Sequence, residues 1–291
     1  MFRIKKRLRA AIERTAIPDF AVRFYERATG IHYPSGLIGR RNFPSIATAT
    51  PGVLVIAAHP DDEVLGLGFT ISSHRASGDI VNVVFMTNGA GPDWRANKVA
   101  QQSVADTRFI EACDALGVIG IPPEFIVNLG FPDYGLLRYI PEAVRDVATL
   151  LDIYRPKVVY VHAIEGGHRD HDTTSFVVQY ASTLCGLNCI FEWAEYNRDV
   201  PMDGNISEAR FPSDPFVASF ACWATPFDQP MLEKKRAMLG KYVSQANIIH
   251  RYPFQGEILR KAKPIHLTSR LAYFRRLSPR RIKCLTRNLP P

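Results

Sequence analysis

Cysteine is scarce in this chain: five residues in 291, an odd number scattered from Cys113 to Cys284. That usage excludes the paired framework of a small secreted disulfide domain and fits a reducing cytoplasm. Cys185 and Cys189 stand close together but have no second pair nearby, so they read as small apolar residues rather than metal ligands. Long apolar runs are also missing. Stretches such as Val53–Ala58 are strand-sized, well short of the roughly 20 residues that a membrane-spanning helix needs. The opening MFRIKKRLRAAIERT has the charge of a leader's start, yet no uninterrupted apolar segment of about 7–15 residues follows it, so classical secretion is not expected. A Gly-x-Ser-x-Gly turn is absent, which removes the common serine-hydrolase reading, and so is a phosphate-cradling Gly-x-x-x-x-Gly-Lys loop. Finger and helix-turn-helix signatures are lacking too, leaving no specific nucleic-acid reading.

What is present in excess is positive charge at the two ends. The formal net charge is +8, but residues 1–14 contain six Lys/Arg against one Glu, and residues 258–291 contain ten Lys/Arg and no acid. Between them lie 20 basic and 27 acidic residues, so the body of the chain is acidic. Basic ends of this kind suit an anionic membrane surface, which would make the protein cytoplasmic and peripheral at the membrane; the plainer reading is solvated ends that aid solubility. The sequence leaves the oligomeric state open.

From Gly52 onward short Val/Ile-rich runs alternate with helical stretches. VLVIAA precedes a helical stretch over 63–77, IVNVVFM precedes another over 98–116, and EFIVNL, a helical 141–154 and KVVYVH continue the pattern. A further helix is expected from His171 or Asp172 to Leu184, then strands in CIFEWAEY and VASFACW, a loop over 198–216 and a helix over 229–243. Alternation of this kind predicts βαβ units and an α/β fold: a Rossmann-like, doubly wound, mostly parallel sheet with helices on both faces. The expected organisation is a basic N-terminal extension over 1–51, one main domain over 52–257 and a basic C-terminal tail over 258–291.

Directly after VLVIAA comes His59-Pro60-Asp61-Asp62-Glu63. In open α/β sheets ligands bind at the carboxyl edge of the strands, and Pro60 helps to end the strand there. An imidazole and a carboxylate at that spacing can share one metal ion. The competing reading is that the three acids merely cap the following helix and complement its dipole. After KVVYVH comes a second loop, Glu165-Gly166-Gly167-His168-Arg169-Asp170-His171. If the two strands run parallel, both loops leave the same edge, and three ligands plus water make an open zinc site; the mixed His/Asp set favours zinc over magnesium. His74, His250, His266, His32 and His162 read as ordinary surface or core histidines.

AHPDDEVLG (58–66) together with HRDH (168–171) closely resembles the PIG-L/LmbE-like deacetylases, which include enzymes that de-N-acetylate N-acetylglucosaminyl conjugates. The resemblance continues through Thr87-Asn88-Gly89, Arg108–Ala112 with Leu116-Gly117, Leu129–Asp133, and Lys235–Gln245, and covers about residues 52–247. It implies a zinc-dependent de-N-acetylase acting on an amino-sugar conjugate. His59, Asp62 and His171 would be the zinc ligands, Asp61 the general base and His168, in protonated form, the residue facing the reacting carbonyl. Arg108 and Asp133 match positions that contact the sugar. The family often has Asp where this chain has Asn88. Two rival readings are a magnesium-dependent glycosyltransferase-like enzyme and a noncatalytic metal-binding protein that docks to anionic surfaces.

Overall fold

A computed structural model of the chain describes residues 52–91, 98–197, 199, 210–211, 221–252 and 256–262. The expected extension over 1–51, most of the loop over 198–216 and residues 263–291 of the basic tail lie outside these. β1 (Val53–Ala57), β2 (Val81–Thr87), β3 (Ile126–Phe131), β4 (Val158–His162) and β5 (Ile190–Trp193) alternate with α1 (Asp62–Ala76), α2 (Lys98–Gly117), α3 (Ile140–Tyr154) and α4 (Arg169–Leu184). β6 (Cys222–Ala224), α5 (Gln229–Leu239), α6 (Ala246–Ile249) and β7 (Ile258–Lys261) follow.

The seven strands form one sheet in the order β3-β2-β1-β4-β5-β7-β6. β1 pairs parallel with both β2 and β4, β2 with β3 and β4 with β5, while β7 runs antiparallel to β5 and β6. Strands buried on both faces explain why β1 and β2 are unbroken apolar or near-apolar runs. The chain winds outward from β1 to β3, then returns to place β4 on the other side of β1. Right-handed crossovers therefore put α1 and α2 on one face and α3 and α4 on the other; accordingly α3 packs on α4, and α5 on α1 and α2. The reversal between β1 and β4 opens a crevice at their carboxyl ends. The expected doubly wound, mostly parallel sheet is the one found.

Several boundaries differ. α4 begins at Arg169, earlier than expected, because His168 caps it by accepting the Asp170 N–H at 3.2 Å. The helix expected to reach Val243 stops at Leu239, before Gly240. Of the expected strand VASFACW, residues 217–220 are not described, and β6 is Cys222–Ala224. The main domain does not end at Glu257, since β7 is an integral strand of the sheet. Its basic composition conceals its burial: Leu259 is buried in the core and the buried Arg260 Nε donates to Glu192 Oε2 at 2.8 Å. Among the described residues no helix is long and apolar enough to cross a membrane.

Candidate metal and catalytic site

Two loops converge in the crevice. The first leaves β1: His59 and Pro60 lead into Asp61, whose φ of 130° is a region that non-glycine residues rarely adopt. Asp61 occupies the N-cap position of α1, yet its side chain makes no capping hydrogen bond. Its carboxylate instead accepts from Arg108 Nη2 at 2.8 Å, while Glu63 Oε2 accepts the Asp61 N–H at 3.0 Å. Glu63 in turn accepts a hydrogen bond from the Tyr242 hydroxyl. Helix capping therefore does not explain the Asp61 carboxylate. Close packing positions α1 behind it: a Cβ on Gly66 would meet the Trp193 indole at 2.2 Å.

Asp62 Oδ2 is the centre of the cluster. It lies 3.1 Å from His59 Nδ1, 3.4 Å from His171 Nε2 and 3.2 Å from His162 Nε2, and it also accepts the His59 N–H at 2.7 Å. His171 enters from the first turn of α4 and stacks on His162 with ring centroids 4.0 Å apart. His168 packs edge-on against His59 at 4.7 Å. The sequence-derived residues His59, Asp61, Asp62, His168 and His171 are thus brought together, all but His168 buried.

The donor chemistry fits a metal. Two donors on a tetrahedral zinc, each about 2.0–2.1 Å from the ion, lie about 3.3–3.4 Å apart, close to the separations around Asp62 Oδ2. Potential ligand atoms fall into three overlapping groups, each within 4.8 Å: His59, His168 and His171; Asp62, His162, His171 and Glu195; His59, Asp133 and Asp170. The expected set of His59, Asp62 and His171 is spread across these groups rather than forming one of them. Buried atoms without hydrogen-bond partners, including His59 Nε2, Asp133 Oδ1, Asp170 Oδ1 and Glu195 Oε1, gather at the same place. His162 is the less available ligand, because its Nε2 already accepts the Ala58 N–H at 3.1 Å.

Titration behaviour follows from this crowding. Burial works to lower the His59 imidazole, but Asp133 and Asp62 override it and hold it well above the usual range. Burial lifts the Asp61 carboxyl to about 7 even though Arg108 beside it pulls the other way. His168 is pushed well below the usual imidazole value, first by burial and then by His59 and His171. With His168 Nδ1 accepting the Asp170 N–H, the neutral ring carries its proton on Nε2, which departs from the protonated imidazole expected from sequence.

Arg108 and Asp133, expected at the sugar, have other partners here. Arg108 is buried and donates to Asp61, to Pro60 O at 2.6 Å and to Gly89 O at 2.6 Å. Gly89, at φ +63°, is the residue that lets the guanidinium so close, since a Cβ there would sit 2.7 Å from Arg108 Nη1. Asp133 Oδ1 lies 3.2 Å from His59 Nε2. Asn88 accepts the Ala90 N–H at 3.1 Å in a local turn. Sequence reasoning gave Glu195 no part. It is buried two residues beyond β5, with Oε2 3.2 Å from His162 Nδ1 and 4.0 Å from His171 Nδ1. Its place just past a parallel strand's carboxyl end was the available signal.

Residues 54–182 match the PIG-L family, described as GlcNAc-PI de-N-acetylase. A 1D-myo-inositol 2-acetamido-2-deoxy-alpha-D-glucopyranoside deacetylase of Nocardia farcinica is 33% identical over 153 residues, covering 43% of this chain and 50% of the relative. One from Mycobacterium leprae is 31% identical over 160 residues, covering 47% and 52%. The chain spans about half the length of these curated relatives. Among solved structures, a deacetylase triple mutant of the teicoplanin biosynthetic pathway superposes with a TM-score of 0.54 at 18% identity, covering 73% of this chain and 97% of that one. GalB, the 4-carboxy-2-hydroxymuconate hydratase from Pseudomonas putida, gives 0.52 at 19%, covering 70% and 83%. These likenesses establish a shared fold, and that fold carries more than one chemistry. The matched stretch runs from β1 through α4 and holds His59, Asp61, Asp62, Arg108, Asp133, His168 and His171, so the match to the PIG-L family model takes in every one of these residues.

Proposed function

We propose that this chain is a zinc-dependent hydrolase that removes the N-acetyl group from an N-acetylglucosamine-type sugar conjugate, giving a free amine and acetate. The observation that carries the reading is Asp61: a buried carboxylate beside the His/Asp donor set, held off the helix cap and fixed by Arg108. His59, Asp62 and His171 are assigned as the ligands. Zinc bound there would polarise the amide carbonyl and make a water more acidic. Asp61, with a pKa near working pH, takes the proton of the attacking water. His168 donates its Nε2–H to the developing oxyanion, and the N-terminal end of α4 favours the neutral ring that does so. Arg108 holds Asp61 in line and keeps enough of it ionised.

A glycosyltransferase reading would want a hard, oxygen-rich magnesium site, whereas imidazoles pervade this one. Hydratase chemistry, which the shared fold allows, would release no acetate. The test is incubation of the zinc-loaded protein with a panel of N-acetylglucosaminyl conjugates, inositol-linked ones included, while acetate is followed. Release from at least one is expected; none from any member would overturn the reading. Elemental analysis should give one zinc per chain, lost in His171→Ala, and a variant that retains stoichiometric zinc at unchanged affinity would sink the ligand assignment.

A further inference from the structure

His59 presents its two ring nitrogens to opposite surroundings. Nδ1 faces Asp62 Oδ2 at 3.1 Å, inside the donor cluster. Nε2, on the far side of the ring, lies 3.2 Å from Asp133 Oδ1 and 3.6 Å from Asp170 Oδ2. Both carboxylates are buried, at 5% and 0% exposure, so solvent does not compete for them. Backbone amides of two loops tie them in place: Asp133 Oδ2 accepts the N–H of Gly91, after β2, at 2.8 Å, and Asp170 Oδ2 accepts the N–H of Tyr134, after β3, at 2.6 Å. Tyr134 reaches that position with a φ of 60°, a left-handed conformation held between the two acids it links. His59 Nε2 and Asp133 Oδ1 are buried atoms with no other hydrogen-bond partner.

An imidazole that coordinates through Nδ1 must carry its proton on Nε2, and a buried N–H needs an acceptor. Asp133 Oδ1 is the near acceptor left unspent. We propose that Asp133 is a positioning residue for His59, fixing its tautomer and ring plane and strengthening its metal-binding nitrogen. Asp170, farther from Nε2 and already holding Tyr134, braces the same side. This rests on the reading of His59 as a ligand. Carboxylates behind metal-bound histidines typically contribute 10- to 100-fold in metal affinity.

Zinc alone is the probe, titrated into full-length protein against a chromophoric chelator, with melting temperature as the control for folding. Asp133→Ala should lose on the order of 100-fold in zinc affinity and Asp133→Asn, which keeps a weaker acceptor, on the order of 10-fold. In a His59→Ala background, Asp133→Ala should cost nothing more, because the ring through which it acts is gone. A residue that touches only the sugar, or one that merely supports the loop, would leave zinc affinity unchanged or add its loss fully to that of His59→Ala. Either result overturns the inference while the ligand reading stands. Unchanged affinity in His59→Ala alone would instead overturn the ligand reading. Should Asp133→Ala fail to fold, Asp133→Asn decides: wild-type affinity there is fatal to the proposal.

Discussion

Around Lys235 and Glu257, buried charge is matched atom for atom. Lys235 Nζ donates to Glu257 Oε1 at 2.8 Å and to Leu65 O at 2.9 Å, and it lies over the Phe69 ring. The Glu257 oxygens also accept from Phe69 N, Thr70 N and Thr70 Oγ1. Around His59 the same degree of burial comes with acceptors that face one another, atoms without partners and a residue at φ 130°. The first cluster locks α5 and the start of β7 onto α1, and its chemistry is complete. The second carries the unmatched polar atoms that the proposed cation and substrate would use, and unsatisfied or strained polar groups persist in native proteins where function holds them there. The first cluster packs against the middle of α1 and the second sits at its N-terminus, so substitutions can set them against each other.

The largest expected effect is on the site side. Asp61→Asn should retain zinc and fold while losing about 10²- to 10⁴-fold in acetate release, because asparagine cannot take the proton that a positioned base removes. The Asp61 side chain caps nothing, and Arg108 keeps its carbonyl acceptors at Pro60 and Gly89 when its charged partner is lost, so the melting temperature should fall less than in a variant that strips a buried charge of its partner without replacing the hydrogen-bonding group. Near-normal turnover would defeat the proposed mechanism even with zinc in place.

Lys235→Ala should do the reverse. Removing one partner of a buried ion pair leaves an uncompensated charge and costs about 3–5 kcal/mol. Chemical denaturation should show that loss, while turnover per folded molecule stays the same. A variant with native stability and impaired turnover would place Lys235 in the catalytic machinery and erase the contrast between the clusters.

The sequence disclosed the site more fully than the scaffold behind it. Apolar runs and their spacing were enough to read β1 through β5, because strands buried on both faces have little freedom in composition. His59, Asp62 and His171 were legible because a proline, consecutive acids and a glycine-flanked pair of histidines break the local pattern where strands end. Glu195 was hidden because CIFEWAEY reads as one ordinary strand, whereas β5 ends at Trp193 and its pairing with β4 carries Glu195 to the crevice. β7 was hidden by its Arg and Lys, since a strand that buries an arginine against Glu192 does not look apolar. The bond from Arg108 to Asp61 was not legible beside its expected place at the sugar, because nothing local shows that a helical arginine turns inward to a residue 47 positions earlier.

Arg108→Met should give a smaller effect with a definite sign. The guanidinium lowers the Asp61 pKa against the effect of burial, so its removal moves the acidic limb of the turnover profile to higher pH. Below that limb each unit of rise cuts the ionised base about tenfold, so the loss should be largest at low pH and should shrink as pH rises. A loss equal at all pH values would mean that Arg108 acts by geometry or on the substrate and not through the charge of Asp61.

The last effect, a difference between two pH slopes, concerns the support beneath Asp61. Glu63 is wholly buried, and burial lifts its carboxyl to about 8 from an ordinary 4.5, against the opposing hydrogen bonds from Tyr242 and the Asp61 amide. The folded protein therefore keeps this proton between about pH 4.5 and 8 while the unfolded chain releases it. Folding takes up a proton across that window, so this group's contribution to stability falls as pH rises, by at most about 1.4 kcal/mol per pH unit. Glu63→Gln resembles the neutral carboxyl in shape and can still accept the Asp61 N–H, but it has no proton to lose. Other buried carboxyls raised by their surroundings, Glu165 and Glu195 among them, add slopes of the same sign to both proteins. The difference between the two slopes isolates Glu63. Denaturant unfolding at pH 5 and pH 8 should show wild-type protein losing more stability over that interval than the variant. Parallel losses would mean that Glu63 is already ionised in the fold, and that the strained turn at Asp61 rests on a carboxylate rather than a carboxylic acid.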